Sequence, residues 1–170
     1  MRNIVLVGFM GTGKTTVAKE LAQRLKREYV SLDELIEKVE KKPITQIFAE
    51  SGEDYFRALE SRVIKEVSAK ENLIIDAGGG AMLRRENIEN FKKKGILICL
   101  KAKPEVILER TKGYKHRPLL NVSNPQKQIE KLLWIREPYY AQADHFIDTS
   151  QLSVEEIVGE ILEILKKYNA

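Results

Sequence analysis

Apolar residues along this chain follow two alternating periods. Five short runs are nearly continuous: Arg2 to Val7, Tyr29 to Leu32, Leu73 to Asp76, Ile96 to Leu100 and His145 to Asp148. Runs this short predict strands, and the unbroken first run suits a strand buried on both faces. Between them the spacing turns helical. Val17, Leu21, Ala22 and Leu25 recur on one face of a helix expected over Thr12 to Arg27. Further helices are predicted from Asp33 to about Lys41, Pro43 to Ser51, Glu53 to Ala69, Arg84 to Lys94 and onward from Pro104. Pro43 fits the first turn of its helix. Asn124-Pro125 reads as a cap with proline at the first helical position, opening a helix to about Tyr140. Ser153 with Glu156 forms a capping-box pattern before the last helix. Thr111 to Ser123, with Gly113, Pro118 and Asn121, reads as a loop. Strands that alternate with helices predict an α/β fold, a parallel sheet covered on both faces.

A length of 170 residues suits one domain over 1–170, and there is no repeat, low-complexity tract or Ser/Gly linker to divide it. The 43% hydrophobic and 32% charged fractions are those of a globular protein. A net charge of +4 is mild and spread along the chain, so no nucleic-acid partner is expected. Lys92-Lys93-Lys94 ends a predicted helix, where cations complement the helix dipole. The single cysteine, Cys99, excludes an intrachain disulfide and reads as a core residue in GILICL. No apolar run approaches the ~18 residues of a membrane span, and no secretory signal pattern opens the chain. The expectation is a cytoplasmic protein without a membrane partner, and a monomer in the absence of a surplus amphipathic surface.

Chemistry enters with Gly8-Phe9-Met10-Gly11-Thr12-Gly13-Lys14-Thr15, which fits G-x-x-x-x-G-K-[ST] at every fixed position. It follows a predicted strand and opens a predicted helix, the context in which the motif binds phosphate. Backbone N–H groups wrap the β-phosphate, and the helix N-terminus adds positive potential. Gly11, Thr12, Gly13, Lys14, Thr15 and Thr16 are the candidate ATP-binding set. Lys14 reaches the β- and γ-phosphates, and the Thr15 hydroxyl can ligate Mg²⁺ directly. The alternative is a glycine-rich turn before a helix. No Asn-Lys-x-Asp guanine-reading motif is present, and a chain this compact points to a small-molecule kinase.

Four more constellations follow the loop. They are SLDELIE around Asp33, GEDYFRALE around Arg57, RTKGYKHRPLL from Arg110 to Leu120, and REPYY from Arg136. With the LIIDAGGGAM run containing Gly78-Gly79-Gly80, the set resembles shikimate kinase, in order and over nearly the whole chain. The resemblance implies a three-layer P-loop kinase fold of the nucleoside-monophosphate-kinase type. A five-stranded parallel sheet would be flanked by helices, with a mobile lid at about 111–123 and an acceptor-binding region at about 33–60. It implies transfer of the ATP γ-phosphoryl group to the 3-hydroxyl of shikimate, in aromatic amino-acid biosynthesis. By the same resemblance Lys14, Asp33 and Arg117 are catalytic. Asp33, Arg57, Gly78, Gly79, Gly80 and Arg136 bind shikimate, the two arginines clamping its carboxylate. Arg110 lies near the adenine, Arg117 closes over the phosphates, and Asp148-Thr149 begin the adenine loop.

Plainer readings stand beside these. Asp33 reads equally as the cap of the helix it begins. Arg57 can pair with Glu53 or Glu60 on its own helix. Arg136 can serve a helix dipole, and Arg117 can be a solvated loop cation. His116 and His145 read as incidental, because phosphoryl transfer here needs no histidine. Trp134, Tyr139 and Tyr140 read as packing residues.

Two positions depart from the family pattern. The Asp-x-Asp of the second strand is here Ser31-Leu32-Asp33, so one carboxylate near the metal is missing. The position two before the glycines, small or neutral in the family pattern, is here Asp76. An apolar run that ends in Asp resembles the plan by which P-loop proteins hold Mg²⁺ or its waters. Asp76 is therefore expected to reach Mg²⁺ through water in place of the absent carboxylate; the alternative is an Asp capping a turn of the glycine loop. The rival activities are a gluconate-type kinase and a non-catalytic ATP-binding switch.

Overall fold

The computed structural model describes residues 1–112 and 122–168. Five strands, β1 (Asn3–Val7), β2 (Glu28–Ser31), β3 (Leu73–Asp76), β4 (Gly95–Lys101) and β5 (His145–Asp148), form one sheet in the order β2-β3-β1-β4-β5. Every pairing is parallel. Helices α1 (Lys14–Leu25), α2 (Leu32–Glu40), α3 (Ile44–Ser68), α4 (Arg85–Lys94), α5 (Pro104–Thr111), α6 (Pro125–Tyr140) and α7 (Val154–Lys166) provide the crossovers. The strand order reverses beside β1, and ligands of open α/β sheets bind beyond the strand ends at such a point.

Alternation along the strands builds one core on each face. Ile4 and Leu6 of β1 join Ile74, Ile96, Ile98 and Leu100 beneath α1 and α7. Val5 and Val7 point the other way and join Leu73, Ile75, Leu97 and Cys99 beneath the remaining helices. All five residues of β1 are buried, as befits the central strand. Edge strand β2 is only partly covered.

Local details refine the predicted boundaries. Helix α1 starts at Lys14, because Gly13 takes a left-handed conformation (φ 94°) as its cap. Gly52 (φ 79°, ψ 174°) interrupts α3 and separates the two helices read from the sequence. Helix α5 runs through Thr111, whose hydroxyl donates to the Ile107 carbonyl at 2.7 Å, so the predicted loop begins later than Thr111. Most of the expected lid, with Arg117 and His116, lies outside the described residues. His145 bonds the Tyr168 hydroxyl at 2.6 Å, a packing role far from the chemistry. Tyr140 is buried, but Trp134 is 80% exposed, which corrects its reading as a packing residue. Successive helical residues turn by ~100°, so Trp134 stands about 200° from the buried Arg136. Among the described residues no helix is long and apolar enough to cross a membrane.

Candidate active site

The phosphate loop leaves β1 at Gly8. Its φ of 134° suits only glycine, and a β-carbon there would collide with the Leu100 carbonyl oxygen of the neighbouring strand. The sharp exit turns the chain into the helix start at Lys14. The ammonium of Lys14 donates to the Phe9 carbonyl at 2.9 Å and is almost fully buried against the loop. The Thr12 hydroxyl donates to the same carbonyl at 2.7 Å, so Thr12 braces the loop from inside. Thr15 and Thr16 are exposed on the first turn of α1.

Thr15 meets Asp76 here. Its hydroxyl donates to Asp76 Oδ2 at 2.6 Å, joining the loop to the end of β3. Tyr29 donates its phenol to the same oxygen at 3.2 Å. Burial, then the Asp76 charge, push the Tyr29 phenol well above its usual range. The alternative of Asp76 as a turn cap is not what the geometry gives. Ser31 and Asp76 are register partners across β2 and β3, so the serine and the unexpected carboxylate stand side by side. Ser31 also settles the capping question for α2. Its backbone is extended and its hydroxyl accepts from the Glu34 N–H at 3.3 Å, so Ser31 is the cap and Asp33 lies within the first turn.

The Asp33 carboxylate projects over the glycine run. A β-carbon at Gly78 would lie 2.7 Å from Asp33 Oδ1. A β-carbon at Gly80 would lie 2.6 Å from Arg57 Cζ and closer still to the guanidinium nitrogens. At Gly79 the nearest atoms would be Arg136 Nη1 and Met10 N, both at 3.6 Å. None of the three has a positive φ; at Gly78 and Gly80 a β-carbon would displace the Asp33 and Arg57 side chains, whereas at Gly79 it would find ordinary contact. The run sits between a carboxylate and two guanidinium groups, with its middle residue against the phosphate loop.

Each arginine is held. Arg57 donates to Glu60 Oε2 at 2.7 Å, and Glu60 is 2% exposed. Burial raises the Glu60 carboxyl pKa, and Arg57 opposes that shift. The ion pair on one helix therefore exists, and it orients Arg57 toward Gly80. Arg136 is 6% exposed, donates to the Gly79 carbonyl at 3.3 Å and lies 5.3 Å above the Phe9 ring. Tyr140 donates to the same carbonyl at 2.6 Å, its phenol pushed up to about 12 by burial. On the opposite side Arg110 binds Thr149 through both the hydroxyl, at 3.0 Å, and the carbonyl, at 2.8 Å, and reaches the Gly11 carbonyl at 3.3 Å. Thr149 is fully buried and donates to the Thr12 carbonyl at 3.0 Å. Arg110 and Thr149 together tie the loop after β5 to the phosphate loop.

Phe9, Tyr29, the buried state of Glu60 and the Thr149 hydroxyl were not marked as site features in the sequence. Glu60 had a signal, three residues after Arg57 on a helix. Phe9 occupies a free position of the phosphate-loop motif and had none.

The platform gives a direct prediction. Gly80→Ala should push the flexible Arg57 guanidinium aside and raise the KM of the acid-bearing acceptor about tenfold, the loss of about one charge-assisted hydrogen bond. The ATP KM and the melting temperature should stay close to wild type. Steady-state titration of each substrate measures this, and an unchanged acceptor KM would show that Arg57 does not act there.

A carboxylate, two rigid guanidinium forks and a bare backbone, set against a phosphate loop, suit a hydroxylated acid as phosphoryl acceptor. Comparison with known proteins agrees. The family model described as shikimate kinase matches residues 10–166. A shikimate kinase of Pelotomaculum thermopropionicum is 47% identical over 169 residues, 99% of this chain and 98% of the relative. One of Thermodesulfovibrio yellowstonii is 46% identical over 163 residues, covering 96% and 94%. The solved shikimate kinase of Acinetobacter baumannii, in complex with shikimate, superposes with a TM-score of 0.93 at 38% identity, covering 99% of this chain and 94% of that one. The chain belongs to the shikimate kinase family.

Proposed function

We propose that this protein transfers the terminal phosphoryl group of ATP to the 3-hydroxyl of shikimate, giving shikimate 3-phosphate and ADP. The observation that carries the reading is the glycine platform. Asp33, Arg57 and Arg136 converge on three bare backbone residues, the middle one lying against Met10 and Gly8 of the phosphate loop. Shikimate is a ring with one carboxylate and three hydroxyls. Arg57 and Arg136 hold the carboxylate, the backbone of 78–80 lies against the ring, and Asp33 orients the attacking hydroxyl and takes its proton. Lys14 and the loop N–H groups hold the β- and γ-phosphates, Arg110 lies toward the adenine, and Arg117 completes the charge around the transferred group.

Magnesium fits the donors available. Among the described residues no group of three His, Cys, Asp or Glu could hold a metal alone. The Thr15 hydroxyl and the Asp76 carboxylate, 2.6 Å apart, are hard oxygen donors beside the phosphate loop. That set suits an ion that keeps several waters and binds through substrate phosphates. Thr15 would hold it directly and Asp76 through water; bound there, it neutralises charge on the phosphates. In this reading residues 1–170 work as one cytoplasmic, monomeric domain.

An ADP-release assay with shikimate, gluconate or no acceptor tests the proposal. ATP- and Mg²⁺-dependent turnover with shikimate alone is the expected result. Turnover with gluconate in its place would make this a different small-molecule kinase, and no acceptor-dependent release would make it a nucleotide switch.

A further inference from the structure

Tyr29 is the feature of the site that neither the phosphate loop nor the acceptor platform uses. It lies two residues before Ser31 on β2, so both side chains leave the same face of the strand. The register places Ser31 opposite Asp76. Diagonally across the ladder, the Tyr29 phenol reaches Asp76 Oδ2 at 3.2 Å. The Thr15 hydroxyl is on that same oxygen at 2.6 Å. Among the described residues no donor occupies Asp76 Oδ1.

While Thr15 donates to Asp76, its oxygen lone pairs remain available to a cation, but a ligating hydroxyl must also turn toward the ion. One short bond to Oδ2 lets the carboxylate pivot about it, and a second donor on the same oxygen restricts that pivot. Ser31 does not supply one: its hydroxyl accepts from the Glu34 N–H to cap α2, and among the described residues it makes no bond to Asp76. Tyr29 does, and its donation comes from the sheet and does not involve the loop.

We infer that Tyr29 is a positioning residue for the metal. Its phenol fixes the Asp76 carboxylate so that Oδ1 faces the water shell of Mg²⁺ while Thr15 engages the ion. The carboxylate thus stands one strand across from position 31, with the tyrosine as its support. Outer-shell partners of this kind orient ligands, and their loss costs affinity for the metal more than for the rest of the ligand. The inference rests on the metal role of Thr15 and Asp76 proposed above.

The test is calorimetric titration of ADP into the full chain with and without Mg²⁺, for wild type, Tyr29→Phe and Asp76→Asn. The Mg²⁺-dependent gain in ADP affinity should fall about tenfold in Tyr29→Phe, the low end for such partners, and at least as far in Asp76→Asn. Metal-free ADP affinity and the shikimate KM should not change, which separates positioning from general damage to the fold. If Asp76→Asn loses the gain and Tyr29→Phe keeps it, the metal role of Asp76 stands and the role of Tyr29 is overturned. If both keep it, Asp76 does not serve the metal and the inference falls with that reading. If Tyr29→Phe weakens ADP equally with and without Mg²⁺, the phenol is structural and the inference is overturned.

Discussion

Lys14→Ala is expected to lower turnover about 10³-fold while moving the shikimate KM little, because removing one preorganised donor to developing charge costs up to about that much. Lys14 is 8% exposed, and its ammonium donates to the Phe9 carbonyl of its own loop at 2.9 Å. It is therefore fixed before nucleotide arrives, and no reorganisation is needed as charge shifts during transfer. Ground-state binding is shared with the loop N–H groups and the helix N-terminus, which the substitution leaves in place. The loss should appear chiefly in kcat. Lys14→Met, nearly the same length without the charge, controls for packing and should behave alike. Turnover within tenfold of wild type in either variant would remove Lys14 from the transferring machinery.

The parts of the site that were legible in the sequence are those whose chemistry is local. The phosphate loop is a contiguous string, and its glycines are dictated by backbone geometry at Gly8 and Gly13. The strand and helix order followed from periodicity, because a parallel sheet buries whole strands and each covering helix keeps one apolar face. The acceptor side needed the family resemblance, since Asp33, Arg57, Gly80 and Arg136 lie on four separate segments.

Thr15 and Asp76 were expected at one ion, but the contact of Tyr29 with Asp76 was beyond either route. Thr15 and Tyr29 meet Asp76 across 61 and 47 residues: pairing of β3 with β1 brings Asp76 beside the phosphate loop, and pairing with β2 brings it beside Tyr29. Two either-or readings resolved differently. Arg57 does pair with Glu60 and also faces the platform, so the ion pair does not compete with the proposed site role. Asp33 is no cap, because Ser31 holds that position. The exposure of Trp134 was missed because a large aromatic residue implies burial on composition alone, whereas its helical phase put it opposite Arg136.

Arg136→Ala is expected to raise the shikimate KM about 100-fold and to leave the ATP KM within about twofold. A hydrogen bond to a charged group contributes ~1.5–3 kcal/mol, so loss of a guanidinium fork falls near the top of that range. The side chain is buried, stands over the Phe9 ring at 5.3 Å and donates to the Gly79 carbonyl at 3.3 Å. It thus reaches the acceptor site already oriented, and little rotamer entropy opposes its use. Tyr140 holds the same carbonyl at 2.6 Å, so the platform keeps one of its two anchors when Arg136 is removed. That limits the damage to the backbone and points the loss at the carboxylate. Arg136→Lys keeps the charge without the fork and should fall between wild type and alanine. The two KM values from the ADP-release assay decide the matter. An unchanged shikimate KM in Arg136→Ala would take the carboxylate away from Arg136. Equal rises for shikimate and ATP would show instead that the arginine supports the phosphate loop through Phe9, not the acceptor.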